Sequence, residues 1–219
     1  MRCWVAFRFV SLVLAVVISA ACPTFAQGNI TQTIYGNFEQ PAHVPHAAEF
    51  GKAIPPMGYV AFCGRGEDEC KFAGGKAVPL TLTSENWDQI EQVNKYTNTK
   101  IRPATDMELY HVPDYWTYPV TAGDCEDYAL LKKRYLVGMG FSPSQLLMTV
   151  VLDENHEGHA VLTVVTNKGD YVLDNRRNEI LRWDDTGYTF LKRQSQPQAN
   201  QWVTLQKSAP QIIVSTKTE

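Results

Sequence analysis

The stretch Gly123–Ala129 (Gly-Asp-Cys-Glu-Asp-Tyr-Ala) puts a cysteine where a polar loop becomes a helix. The run that follows has the composition of a helix and ends at two closely spaced glycines, which are stop signals. Asp124 is a good N-cap residue and Asp127 stands three positions later, so the sequence predicts a capping box. Cys125 then lies in the first helical turn, where unpaired N–H groups favour the thiolate. The pattern is typical of a nucleophile, whereas the alternative is a small buried hydrophobe, as most free cysteines are.

Two further candidates for a catalytic site follow the cysteine in chain order. His159 begins an apolar, β-branched run that predicts a buried strand, and Asp174 ends a second such run. The turn signal at 167–170 joins the two runs, so the sequence predicts a hairpin that can bring His159 beside Asp174. The imidazole would then take the proton of the Cys125 thiol, and the carboxylate would orient the imidazole.

Each of these two residues has an alternative interpretation. His156 is a rival base, but it lies among acidic and amide residues that predict a solvated loop, so the sequence favours His159. A metal motif built on both histidines would require a helix, and Gly158 with the following β run argues against one. Asp174 could simply end a strand, with Asn175 making the turn.

The N-terminus has the pattern of a secretory signal peptide. Basic residues precede the apolar run 9–21, and small residues precede the expected cleavage site after Ala26. We therefore expect export to the periplasm. A lipoprotein anchored at Cys22 is an alternative, but Ser19 stands where a large aliphatic residue is required. The mature chain contains no segment long and apolar enough to span a membrane.

Export changes how the cysteines are interpreted. Cys63 and Cys70 flank a polar, turn-forming loop, so in an oxidising compartment they predict a disulfide. Two free thiols are the alternative, and a zinc site lacks further ligands at suitable spacing. Cys125 is then the unpaired cysteine of the mature chain. The formal charge of −3 at pH 7 gives no indication of a surface that binds nucleic acid.

The order of helical and strand patterns predicts an α+β domain. Helical patterns at 84–98 and 125–137 come first, so we expect the nucleophile's helix to pack on an antiparallel β-sheet. The predicted strands are 147–152, 159–165, 170–174, 179–183, 188–193 and 201–205. The predicted segments are a signal peptide 1–26, a proline-rich N-terminal arm 27–80 with the Cys63–Cys70 disulfide, a domain 81–206 and a polar tail 207–219.

Four motifs occur in a specific order along this domain: Asp114–Pro119, Gly123–Ala129, His159–Leu162 and Val172–Asn175. Together they resemble the bacterial transglutaminase-like cysteine proteinases, a family that includes the LapG-type periplasmic proteases. The resemblance implies a papain-like, transglutaminase-type core for residues 81–206. By position, it implies that Cys125 is the nucleophile, His159 the base and Asp174 the residue that orients the base.

The resemblance also implies a cofactor and partners. LapG-type members depend on calcium, cut a large surface adhesin and are sequestered by an inner-membrane cyclic-di-GMP receptor, which implies similar partners and a role in biofilms here. Asp124, Glu126 and Asp127 match the family's acidic calcium cluster, although calcium usually takes about six to eight oxygen ligands. These acids would raise the pKa of the Cys125 thiol unless a cation neutralises them, which is an independent motive for bound calcium. As a cap and a solvated first turn they would need no metal.

Three functions are compatible with the sequence. The first is a cysteine endopeptidase that acts on a protein substrate, with the backbone N–H of Cys125 as an oxyanion donor. The second is an amidase or acyl transferase that uses the same residues on cell-wall peptides. The third is a non-catalytic transglutaminase-like binding module, in which the pocket is kept and turnover is lost.

Overall fold

The computed structural model describes residues 45–71 and 77–207. The expected signal peptide 1–26, the alternative lipidation site Cys22 and the first part of the arm lie outside the described residues, as does the tail from residue 208. None of the described helices is long and apolar enough to cross a membrane.

In the described residues, the helices and three short strands come first, and most strands of a large sheet follow them. The helices are α1 (Met57–Gly64), α2 (Ser84–Lys100), α3 (Asp106–Tyr110) and α4 (Cys125–Gly138). The strands are β1 (Lys52–Ala53), β2 (Arg102–Pro103), β3 (Ala122–Gly123), β4 (Leu146–Leu152), β5 (Gly158–Thr166), β6 (Gly169–Leu173), β7 (Leu181–Arg182), β8 (Thr189–Ser195) and β9 (Gln198–Thr204). The expected strands and both expected helices are therefore confirmed, with ends that differ by at most three residues.

Seven of the described strands form one antiparallel sheet in the order β1-β9-β8-β4-β5-β6-β7. His159 lies on its β5–β6 hairpin, which pairs Leu162 with Leu173 and closes at Gly169, and Asp174 directly follows the hairpin. Gly169 has a φ of +129°, a conformation that L-residues with side chains rarely adopt, and this explains the glycine of the turn signal. The predicted α+β architecture is confirmed.

Helix α4 packs its apolar side on the centre of this sheet. Ala129, Leu130 and Leu136 are buried in one cluster with Met148 of β4 and Leu162 of β5. Burial of an apolar side chain contributes about 1.5–3 kcal/mol, so this contact holds the start of α4 firmly against the strands that carry the other candidates.

Helix α2 supports the loop that follows β6. Its N-terminus is closed by a capping box between Thr83 and Asn86, and Ile90 and Val93 are buried. One turn further, the side-chain amides of α2 donate to backbone oxygens of the loop 174–178: Asn98 Nδ2 lies 2.9 Å from Asp174 O. The helix therefore fixes the backbone on which Asp174 stands.

The described part of the 27–80 segment contributes to the core. Tyr59 and Phe62 of α1 are buried, and β1 adds an edge to the main sheet. The predicted Cys63–Cys70 disulfide is confirmed, with a Cα–Cα distance of 5.5 Å. The segment that it closes is held by the buried pair Glu69–Lys133, at 2.5 Å. The prolines predict an extended arm, but α1 instead packs on the domain because Tyr59 and Phe62 bury their large aromatic side chains in its core.

Candidate active site

Cys125 is the first residue of α4 and the free cysteine of the described ranges. Asp124 is the N-cap residue, but its side chain makes no capping hydrogen bond within the described structure, so the predicted capping box is wrong. One oxygen of Asp124 and one of Asp127 instead lie within 4.8 Å of each other and of Asp106. Gly123 is required here because a Cβ at this position would lie 2.6 Å from Asp127 Oδ2.

The Cys125 thiol is held in its protonated form. Sγ donates to Glu126 Oε2 at 3.0 Å. Burial raises the pKa of the Cys125 thiol well above its ordinary value, and the Glu126 carboxyl raises it further, whereas the backbone N–H of Ala160 acts in the opposite direction. The expectation that the helix terminus favours the thiolate is therefore wrong, because burial of the thiol and the adjacent acids outweigh a few peptide dipoles.

His159 and Asp174 form a buried pair. His159 Nε2 lies 3.0 Å from Asp174 Oδ1, and both side chains are only 1% exposed. Because an ionised carboxylate only accepts, Nε2 carries the proton and Nδ1 is the ring nitrogen left to accept one. The hairpin register thus brings together the two residues that the sequence selected.

Asp174 has donors on both carboxylate oxygens. Besides His159, Oδ1 accepts from the backbone N–H of Arg176 at 3.0 Å, and Oδ2 accepts from Tyr188 Oη at 2.6 Å. Arg177 Nε lies 3.5 Å from Oδ2. Burial alone would raise the pKa of Asp174, but the hydrogen bonds from His159, Arg176 and Tyr188 outweigh it and hold the pKa far below its ordinary value. Asp174 therefore stays ionised.

Tyr188 was missed in the sequence. Its ring packs edge-on against His159, with centroids 5.7 Å apart, while its hydroxyl bonds to Asp174. Burial and the Asp174 carboxylate raise the pKa of Tyr188 to about 12, so it remains a donor at physiological pH. A lone tyrosine after Gly187 carries no local signal, because only the pairing of β8 in the sheet brings it near β6.

The rival histidine lies apart from this pair. His156 is exposed on a turn and has a φ of +64°. Asp153 organises that turn by accepting from the backbone N–H groups of Asn155 and Glu157, both at 2.9 Å. The expectation that His156 belongs to a solvated loop is confirmed.

Two clefts open on either side of the thiol. The Arg176 cleft is lined by Thr105, Glu108, Asn175 and Arg176, and the Trp116 cleft by Pro56, Trp116, Val150 and Ala160; Cys125 and His159 line both. Trp116 is 4% exposed, belongs to the main core and donates from Nε1 to Asp114 Oδ1 at 2.8 Å. It therefore serves the core and also forms one wall of a cleft.

Five carboxylates cluster beside the thiol. One oxygen from each of Asp106, Asp114 and Glu126 lies within 4.8 Å of the others, and the same holds for Asp106, Asp124 and Asp127. The sequence selected the three acids around Cys125 but missed Asp106 and Asp114. Asp114 stands in one of the four family motifs, so a signal existed there, whereas Asp106 is brought in only by the packing of α3.

In the described structure, three of these acids each have a carboxylate oxygen without a donor, unlike Asp174. No residue of the described ranges hydrogen-bonds to Asp106 Oδ1, Asp124 Oδ1 or Asp127 Oδ2, although all three atoms are buried. Burial, followed by repulsion from neighbouring carboxylates, raises the pKa of Asp124 to about 9 and that of Asp127 to about 8. A group of buried oxygen atoms without donors has the ligand chemistry of a hard cation, and the residues present fit such an ion.

Comparison with known proteins now identifies the family. Residues 49–210 match the model of a family described as bacterial transglutaminase-like cysteine proteinase, BTLCP. The chain belongs to this family. It is a cysteine peptidase with a papain-like, transglutaminase-type α+β core. The matched range begins well before residue 80, in agreement with the packing of α1 into the core.

Solved structures of Legionella pneumophila LapG are similar to the chain. The calcium-bound form is 25% identical with a TM-score of 0.48, covering 58% of this chain and 74% of that one. Another LapG structure is 23% identical with a TM-score of 0.44, covering 64% of this chain and 77% of that one. No protein with curated function matches. The family assignment rests on the family model.

Proposed function

We propose that this peptidase is an exported cysteine endopeptidase in which Cys125 is the nucleophile, His159 the general base and acid, and Asp174 the residue that orients His159. One observation carries the proposal: the free thiol at the start of α4 lines the same two clefts as His159, and the ring of His159 is hydrogen-bonded to the buried Asp174. Acyl transfer requires a nucleophilic thiol, an imidazole that takes its proton and a carboxylate that orients the imidazole.

The reaction begins with transfer of the thiol proton to Nδ1 of His159. The Cys125 sulfur then attacks the peptide carbonyl carbon, and the negative charge moves to the carbonyl oxygen. The backbone N–H of Cys125 has no partner within the helix because it belongs to the first turn, so it is available to stabilise that oxygen. His159 returns the proton to the leaving amine, which breaks the C–N bond and leaves a thioester. Water activated by His159 hydrolyses the thioester and regenerates the thiol.

Asp174 acts through His159. Its Oδ1 fixes the Nε2–H tautomer, and its negative charge stabilises the imidazolium that forms in the first step. Tyr188 and the Arg176 N–H hold the carboxylate from behind, so Asp174 cannot turn away from the ring.

We further propose that Asp124, Glu126 and Asp127, together with Asp106 and Asp114, hold a calcium ion. The support is the set of buried oxygen atoms without donors and the calcium-bound state of Legionella LapG. When bound, the ion supplies positive charge beside the thiol. The ion would give Glu126 a partner other than Cys125, and its charge would favour the thiolate form of Cys125.

The proposed substrate is a protein at the cell surface, such as a large adhesin, and the proposed compartment is the periplasm. An inner-membrane cyclic-di-GMP receptor is the proposed regulator. These proposals follow from the family resemblance and the signal-peptide pattern of residues 1–26.

Surface and released proteins of cells that carry wild-type or Cys125→Ala protein test the proposal. We expect fragments that appear only with wild type, and mass spectrometry of their ends identifies the bond. His159→Ala should behave like Cys125→Ala, and the exposed His156→Ala is the matched control that should behave like wild type. If no protein is cut but small amide substrates are hydrolysed through Cys125, the amidase alternative replaces the endopeptidase.

Calcium binding is tested on the purified chain. We expect calcium to raise the melting temperature and chelation to lower it, while Asp124→Asn with Glu126→Gln should remove the difference. A melting temperature that is unchanged by calcium up to millimolar concentration would contradict the metal site.

A further inference from the structure

The two clefts meet at three residues, one of which is a glycine. The Arg176 cleft and the Trp116 cleft share Cys125, His159 and Gly158 as lining residues. Gly158 therefore lies where one cleft passes into the other, directly beside the reacting groups. Their volumes of about 320 and 230 Å³ lie just above and just below the lower end of the range for ligand sites, about 300–1,000 Å³, so only a few residues of substrate can enter each.

Neither the backbone conformation nor the packing of the fold requires a glycine at position 158. It is the first residue of β5, is exposed and pairs with Leu152 of β4. Its φ is not in the left-handed region, and a Cβ built there meets no heavy atom within 4 Å. In a strand, glycine is destabilising by about 0.5–1 kcal/mol relative to alanine. The fold would therefore accept a larger residue, and the feature that a side chain would change is the open passage between the clefts.

We propose that the substrate crosses the active site over Gly158, as an extended polypeptide with residues in both clefts on either side of the scissile bond. The inference rests on the proposed endopeptidase function and deepens it. The substrate is an internal, unfolded segment of a protein, not a chain end and not a folded domain. Gly158 is then a specificity-determining residue, because its missing side chain leaves room for the substrate main chain.

The experiment compares wild type with Gly158→Ala and Gly158→Val on a library of peptides from digested bacterial proteins, with cleavage sites read by mass spectrometry. Gly138→Val is the matched control. It makes the same change at an exposed glycine with free space around its Cβ, at the far end of α4, about 20 Å along the helix from Cys125. Alkylation of Cys125 by iodoacetamide, which is too small to need the passage, is measured on all four proteins.

We expect wild type and Gly138→Val to cut internal bonds, at least two residues from either peptide end. Gly158→Val should cut about 10- to 100-fold more slowly, which corresponds to the usual cost of overfilling a packed site, and Gly158→Ala should be intermediate. Alkylation should stay within about twofold of wild type, and valine should not lower the melting temperature because it favours strands.

Each other outcome is decisive. If Gly158→Val cleaves peptides as fast as wild type, the proposal that the substrate crosses at Gly158 is wrong. It is also wrong if wild type cleaves only at peptide ends. Loss of alkylation together with cleavage would overturn it as well, because valine would then have disturbed Cys125 and His159. If wild type is alkylated at Cys125 but cuts no peptide, the endopeptidase function itself fails, and the crossing fails with it.

Discussion

The carboxylates on the two sides of the active site are in opposite states, although Asp174 and Asp127 are both fully buried. Asp174 has donors on both oxygens and a lowered pKa, whereas Asp124 and Asp127 each have a buried oxygen without a donor in the described structure and raised pKa values. Burial is therefore not what decides the charge of an aspartate here. The number of donors aimed at it decides, and a side without donors needs protons or a cation.

The largest effect on activity should come from replacing Asp174, whose two carboxylate oxygens both accept hydrogen bonds. Asp174→Ala removes the acceptor of His159 and leaves the N–H groups around it without partners, so we expect kcat to fall on the order of 10³-fold. Peptide cleavage measured under single-turnover conditions checks this. Asp88→Ala, an exposed aspartate of α2, is the control and should keep wild-type rates. An activity within tenfold of wild type for Asp174→Ala would remove this residue from the catalytic site.

A smaller effect should follow from removing one donor of that set. Tyr188→Phe keeps the ring against His159 but leaves Asp174 Oδ2 without its 2.6 Å hydrogen bond. A hydrogen bond to a charged group contributes about 1.5–3 kcal/mol, so kcat should drop about 10-fold with little change in KM. Tyr171→Phe, on neighbouring β6, is the matched control. Equal kcat values for the two variants would show that the hydroxyl of Tyr188 does not position Asp174.

Asp124 and Asp127 should make the melting temperature depend on pH when a chelator is present. The raised pKa values of Asp124 and Asp127 mean that the folded chain binds more protons than the unfolded chain, whose aspartates titrate near pH 4. The melting temperature should therefore rise as the pH falls from about 8 to about 5. The lowered pKa of Asp174 has no influence in this window, because its contribution is lost only below about pH 4.

Melting curves at pH 5 to 8, recorded with EGTA and with excess calcium, provide the measurement. Calcium should flatten the pH dependence because the ion replaces the protons. A melting temperature in EGTA that rises towards pH 8 would show that these carboxylates are not repelling one another.

The smallest effect should be the change in melting temperature when one acid beside the thiol, Asp127, is neutralised. Asp127→Asn retains an oxygen that can accept from the Thr117 N–H, as Oδ1 does at 2.8 Å, but removes one buried negative charge. In EGTA it should raise the melting temperature by about 2–4 °C, equivalent to about 1 kcal/mol, and it should reduce the stabilisation by calcium. The exposed Asp88→Asn should change neither value. Destabilisation by Asp127→Asn in EGTA would contradict the repulsion.

Local sequence patterns predicted the parts of the site that lie on regular elements. Cys125 at the start of a helix, His159 at the start of a buried strand and Asp174 at the end of its hairpin partner are each marked by a periodicity and a turn signal. The hairpin turn then fixes the register, so the approach of His159 to Asp174 also follows from neighbouring residues.

Other parts could not be found in this way. Tyr188 reaches Asp174 only through the pairing of β8 with β4, and Asp106 reaches the acidic cluster through α3. For the Cys125 thiol, the predicted effect of the adjacent acids on its pKa is confirmed, but the predicted preference for the thiolate failed because the burial of the sulfur is not visible in a sequence.

The sequence by itself determined which elements form, which residues can carry nucleophilic chemistry and which cysteines pair, because helix, strand and turn preferences depend on near neighbours. Only the tertiary structure decided the protonation of each carboxylate, the contact of Tyr188 with Asp174 and the position of Gly158 on both clefts. Those properties depend on how many donors, charges and empty spaces surround an atom. Distant segments of the chain supply them when they pack.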